Sequence, residues 1–196
     1  MRLWMDRMRH MAYLVSFALL VALGAWIVGV YNNLEHLRGV VCNCWGQWRR
    51  ATHRRNECLN DYVAAFAVFM PVNSTLPHDL RRMVEASESS LALAVEPRWS
   101  GGAGVPGGGE WLLRRAVAQS LQVVEETPVM RGHEHLQRLC SSISVCLYQQ
   151  DQVAASFNHA ARAYNEALAS PSARLLAPLL GFARADALEM REARSS

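Results

Sequence analysis

Lysine is absent from all 196 residues, so the 20 basic side chains are every one arginine. That absence excludes chemistries built on an amine: a P-loop NTPase, a protein kinase, and any aldolase or pyridoxal enzyme with a Schiff-base lysine. Also missing is a cysteine framework. The five cysteines, Cys42, Cys44, Cys58, Cys140 and Cys146, form an odd set without C-x-x-C spacing, and Cys42 and Cys44 lie ~200° apart on a helix, too far round to share an ion. They read as small buried hydrophobes, with neither metal nor redox chemistry expected of them. No metal or other cofactor is expected. No segment alternates as a strand does, no G-x-S-x-G is present, and His133-Glu134-His135 is not H-E-x-x-H, so those residues read as a helix cap and first turn.

Basic charge is likewise scarce once the amino terminus is set aside. Without Arg2, Arg7, Arg9 and Asp6 the chain holds 17 arginines against 16 acids. A near-neutral remainder carries no electrostatic footprint for nucleic acid, and none is expected as a partner.

What the chain does have is one long uncharged run. From Met11 to Val30 no residue is charged at neutral pH, and twenty helical residues span ~30 Å, the thickness of a bilayer's hydrocarbon core. Trp4 and Tyr13 lie near one end of it and Trp26 and Tyr31 near the other, as interfacial aromatics do. A single-pass cell-membrane anchor is preferred over a cleaved signal peptide, since the run exceeds an ordinary h-region and no A-x-A site follows. Three arginines precede the span and only Arg38 follows within 18 residues, which places the bulk of the chain outside the cytoplasm. Ala18/Ala22 and Ala25/Gly29 offer a seat for a second helix, leaving a homo-oligomer open.

Beyond the span, apolar residues recur at intervals of three and four: Leu34, Leu37, Val41, Cys44, Trp48, then Cys58, Tyr62, Phe66 and Phe69. This predicts one rod from Met11 to Met70. Arg55 falls on its stripe and, if buried, needs a carboxylate or several carbonyls within hydrogen-bond reach, Glu125 or Glu126 being placed to serve. A second helix starts near Ser74-Thr75 and ends before Pro97. Ser100 to Gly109 reads as a flexible glycine-rich loop, a third helix runs from Glu110 to Pro128, and a fourth starts near His133. That last helix carries a coiled-coil-like stripe, Leu136, Leu139, Ile143, Cys146, Gln150, Val153, Phe157, Ala160, Tyr164 and Leu168. Asn158 and Asn165 lie on one face beside Phe157 and Tyr164. They are suited to tying down a chain reversal or fixing register, or else to hydrogen-bonding a partner's backbone.

The expectation is an all-α fold, an N-terminal transmembrane helix continuing into an antiparallel four-helix bundle. Residues 1–31 are tail and anchor, 32–182 the bundle with its glycine-rich loop at 100–109, and 183–196 a C-terminal tail expected to be disordered.

Two stretches carry a family resemblance. YNNLEHLRGVVCNCW, ending at Trp45, is followed nine residues on by Arg54-Arg55 and then Leu59, Tyr62 and Val63; SFNHAARAYNEALASPSARLLAPLLGF contains Asn158, Tyr164 and Asn165 and closes on Gly181-Phe182. Both resemble segments of the LemA family. Asn60, Glu57, Ser87 and Leu147 depart from the family pattern, which has proline, aspartate, arginine and glutamate there. The resemblance implies a bacterial, membrane-anchored helical bundle without established enzymatic activity. It makes Trp45, Arg54, Arg55, Asn158, Tyr164, Asn165, Gly181 and Phe182 the candidate structural or interaction residues. The function expected is a non-catalytic scaffold or adaptor whose partners are the lipid bilayer and another membrane or envelope protein. The alternative is a sensor binding a small molecule or peptide in a cleft between helices.

Overall fold

In a computed structural model the described residues are 2–99 and 108–188. They form six helices and no strand: α1 (Arg2–Ala67), α2 (Leu76–Leu93), α3 (Gly108–Glu126), α4 (Pro128–Arg131), α5 (Glu134–Ala169) and α6 (Pro171–Leu176).

The rod starts earlier and stops sooner than its apolar stripe suggested. Nothing upstream of Met11 breaks a helix, so α1 takes in Arg2, Arg7 and Arg9 and runs unbroken for 66 residues. At its far end the amides of Val68, Phe69 and Met70 bond three residues back, to Ala65, Phe66 and Ala67, and this tightened turn leads into Pro71. α1 is also long and apolar enough to cross a membrane. From Met11 onward its apolar side chains stand exposed, Leu14 and Phe17 at 68% each, until Val30 begins to pack against the core.

Proline marks the starts of α2, α4 and α6. Pro77, Pro128 and Pro171 each sit in a first turn, where the missing amide costs no hydrogen bond. α4 is a single turn between Pro128 and His133 that the sequence pattern did not show. His133 caps α5 as expected: the Leu136 amide donates to its Nδ1 at 3.3 Å. The glycine-rich loop is shorter than expected, because Gly108 and Gly109 already belong to α3. The rest of that loop, 100–107, and the tail from 189 on lie outside the described residues.

Trp45 meets Phe157 at 5.4 Å between ring centroids, and Phe69 meets His133 at 4.9 Å. Residue numbers that rise along α1 therefore fall along α5. The core is divided in two. A proximal cluster, next to the apolar end of α1, joins Leu34, Trp45 and Trp48 to Phe157, Tyr164 and Leu168. A distal cluster joins Tyr62 and Phe66 to Leu80 and Val84 of α2, Leu113 and Val117 of α3 and Ile143 of α5. Between them lies a layer of fully buried polar side chains: Thr52, Arg55, Asn56 and Gln150.

α3 supplies apolar side chains to the distal cluster only. On the proximal side, Ala173, Ala177, Ala185 and Leu188 from α6 and the chain's end pack into that cluster. Residues 183–188 are thus not the disordered start of a tail.

Candidate functional site

Arg55 organises the polar layer. Its side chain is 0% exposed, and a guanidinium in that position must have its charge and its donors met. Nη1 donates to Glu110 Oε1 and to Gln150 Oε1 at 2.9 Å, while Nη2 donates to Asn56 Oδ1 at 2.8 Å and to Ser87 Oγ at 3.0 Å. α1, α2, α3 and α5 therefore converge on one side chain. Burial pulls the Arg55 pKa below the ordinary arginine value, and the Glu110 carboxylate opposes that shift.

The carboxylate expected opposite Arg55 is thus present, but it is Glu110 in the first turn of α3. Glu125 and Glu126 are exposed at the helix's other end. A second arginine closes the cluster: Arg114, one turn on from Glu110, bonds Glu110 Oε1 at 3.2 Å, Gln150 Oε1 at 2.8 Å and Asp151 Oδ1 at 2.8 Å. Burial works against the Arg114 charge, yet Asp151 and Glu110 hold its pKa above the usual arginine value. Two arginines face two carboxylates, so the layer is neutral. Arg54, by contrast, is exposed and takes no part in it.

A cavity of about 410 Å³ opens beside this layer, between α1, α2 and the start of α3. Thr52, Ser87, Ser90 and Glu110 bring polar groups to it; Trp48 and Leu112 are among its apolar walls. The Trp48 indole Nε1 is buried without a hydrogen-bond partner.

The second constellation lies on α5. Asn165 Oδ1 accepts from the Ala185 amide at 2.9 Å, and its Nδ2 donates to the Ala185 carbonyl at 2.8 Å. One heptad earlier Asn158 does the same with Leu188, at 2.7 and 3.0 Å. The spacings match: seven helical residues rise ~10.5 Å, and three extended residues cover ~10 Å. An i, i+7 pair of asparagines on a helix therefore reads every third residue of an extended chain. Tyr164 adds a bond from its hydroxyl to the Ala183 carbonyl at 2.9 Å. On its other edge the segment is held by the Arg98 carbonyl, which accepts from the Asp186 amide at 3.0 Å, and by an isolated antiparallel bridge between Trp99 and Ala185.

Gly181 and Phe182 deliver the chain to this ladder. Gly181 has φ +74°, and the Phe182 amide donates to the Ala177 carbonyl at 2.9 Å. This is the Schellman pattern, which favours glycine because a Cβ strains a left-handed backbone. Phe182 then sets its ring 5.8 Å from that of Tyr31. Trp45 is a core residue, stacked on Trp48 at 4.8 Å. Met11 and Val30 bound the exposed apolar stretch of α1, Met11 at 67% exposure and Val30 partly buried.

Of the candidate residues, Arg55 belongs to the polar layer, Asn158, Tyr164, Asn165, Gly181 and Phe182 belong to the asparagine ladder and its approach, and Trp45 and Arg54 belong to neither. Glu110, Gln150, Asn56 and Thr52 were not singled out as site residues. Gln150 carried a signal, being polar on an apolar stripe as Arg55 is. Among the described residues no cluster of three or more His, Cys, Asp or Glu side chains is arranged to hold a metal ion. No family model, curated protein or solved structure matches the chain.

Proposed function

We propose that the chain is a LemA-type protein: a single-pass membrane anchor carrying an antiparallel four-helix bundle that serves as a non-catalytic adaptor for another membrane or envelope protein. The observation that carries this reading is the continuity of α1. The same helix presents its apolar side chains outward over 11–30 and buries Leu34, Val41 and Trp45 in the core, so whatever the bundle holds is kept at a fixed height above the bilayer. The near-neutral net charge beyond the anchor and the exposed Val145 and Tyr148 on α5 accord with a protein partner. The excess of arginine before the span supports an extracytoplasmic bundle.

A second reading, a sensor, is favoured by the cavity. Several hundred Å³ with converging hydroxyl and carboxylate groups and an unpartnered indole N–H is the form of a small-ligand site.

One experiment separates the two. A photo-crosslinking side chain placed at Tyr148, in cells with native membranes, is expected to give an adduct with one defined membrane or envelope protein. Filling the cavity with Ser90→Trp leaves that adduct intact if the bundle is an adaptor and abolishes it if partner binding depends on a cavity ligand. Absence of an adduct from Tyr148, Val145 and Val40 alike contradicts the adaptor.

A further inference from the structure

Cys58 on α1 and Cys146 on α5 meet across the contact between the two longest helices, their Sγ atoms 3.3 Å apart. Neither belongs to the polar layer, the cavity or the asparagine ladder. They are 88 positions apart in sequence, so only the antiparallel register of α1 and α5 brings them together. The contact lies one helical turn from the polar layer on both helices, since Cys58 follows Arg55 by three residues and Cys146 precedes Gln150 by four. A disulfide requires sulfurs ~2.05 Å apart, and about 1.2 Å of closure is within reach of side-chain rotation.

We propose that Cys58 and Cys146 form a redox site, closing under a disulfide oxidant into an intramolecular bond that staples α1 to α5. The two thiols differ in the way such a reaction needs. Cys58 is half-buried and open to an incoming reagent, whereas Cys146 is 7% exposed. Burial and the hydrogen bond with Cys58 push the Cys146 thiol up to about 11, so it is the poorer first nucleophile.

In the first step the Cys58 thiolate attacks one sulfur of a small disulfide such as oxidised glutathione. Its S–S bond breaks, one thiolate leaves and takes up the proton that Cys58 lost, and a mixed disulfide remains on Cys58. In the second, the Cys146 sulfur attacks Cys58 Sγ and expels the other thiolate, which takes up the Cys146 proton. Two protein thiols are oxidised to one disulfide and one oxidant disulfide is reduced to two thiols.

The bond would close a large loop of the unfolded chain, and it would lock the register that sets Arg55 against Gln150. The closeness of the two sulfurs carries the inference, which does not rest on the proposed adaptor function.

The test uses the full-length chain in detergent, equilibrated across glutathione redox buffers, quenched with acid and alkylated with N-ethylmaleimide after unfolding. Digestion without reduction and mass spectrometry are expected to find a Cys58–Cys146 peptide pair in a monomeric chain. The pair should persist in Cys42→Ser, Cys44→Ser and Cys140→Ser, and the oxidised chain should unfold at a temperature several degrees higher. Alkylation of both Cys58 and Cys146 in the most oxidising buffer, or bonds confined to the other three cysteines, overturns the proposal. A bond that forms without raising the unfolding temperature overturns the staple. The wild-type peptide map decides the pairing even if Cys58→Ser fails to fold.

Discussion

Leu188 is gripped twice by Asn158: its amide donates to the side-chain oxygen at 2.7 Å and its carbonyl accepts from the side-chain nitrogen at 3.0 Å. Because Asn165 holds Ala185 in the same way, the extended segment 183–188 is fixed through its backbone. Its own side chains then fill the proximal core, to which α3 contributes none.

Hydrogen exchange separates the two rungs. Asn158→Ala should deprotect the Leu188 amide and Asn165→Ala the Ala185 amide, each at a cost of about 1–3 kcal/mol for two lost hydrogen bonds. Protection of both amides should survive in Asn43→Ala, an exposed position on α1. Unchanged exchange in the ladder variants contradicts the clamp.

Glu110→Gln removes the carboxylate opposite a fully buried guanidinium and leaves Arg55 charged without a counter-ion. A loss of about 3 kcal/mol or more is expected in chemical denaturation. Adding Arg55→Met to the same chain should restore much of that loss, since it removes the charge that Glu110 compensates. A single Glu110→Gln variant as stable as the parent contradicts the ion-pair reading.

Tyr62 gives a prediction at alkaline pH. Burial pushes its phenol from the usual 10 up to about 12. Ser120 lies alongside but donates to the Val117 carbonyl at 2.7 Å, and the Tyr62 hydroxyl makes no hydrogen bond of good geometry. Between pH 10 and 12 the folded chain keeps a proton that the unfolded chain has released, so Tyr62 contributes stability below pH 10 that is lost as pH rises through 12. Tyr62→Phe should flatten this limb of a stability-versus-pH curve and leave neutral-pH stability unchanged or slightly raised. An alkaline limb as steep as the parent's assigns it to another group.

The helices were legible because their spacing is local. The stripes Leu34 to Phe69 and Leu136 to Leu168 follow from periodicity, and Arg55 stood out as a charge on one of them. Its partner did not, because choosing Glu110 over Glu125 requires the register of α3 against α1. That register depends on where α3 starts, inside a glycine run that reads as loop. The order of 183–188 was hidden for a similar reason: the segment has no apolar period of its own, and its structure is imposed by two asparagines some 20 to 30 residues earlier. Cys58 and Cys146 were each visible on a stripe, but only the pairing of the stripes makes them neighbours.

α1 runs unbroken from its exposed apolar stretch into the core, and the proposed function requires that stretch to lie in a bilayer. Alkaline carbonate extraction of membranes from cells expressing the full-length chain tests this directly. The protein should remain in the membrane pellet at its uncut mass and pass to the soluble fraction when residues 1–31 are deleted. Recovery of the uncut chain in the carbonate supernatant, or of a chain shortened by cleavage after the apolar run, would contradict it.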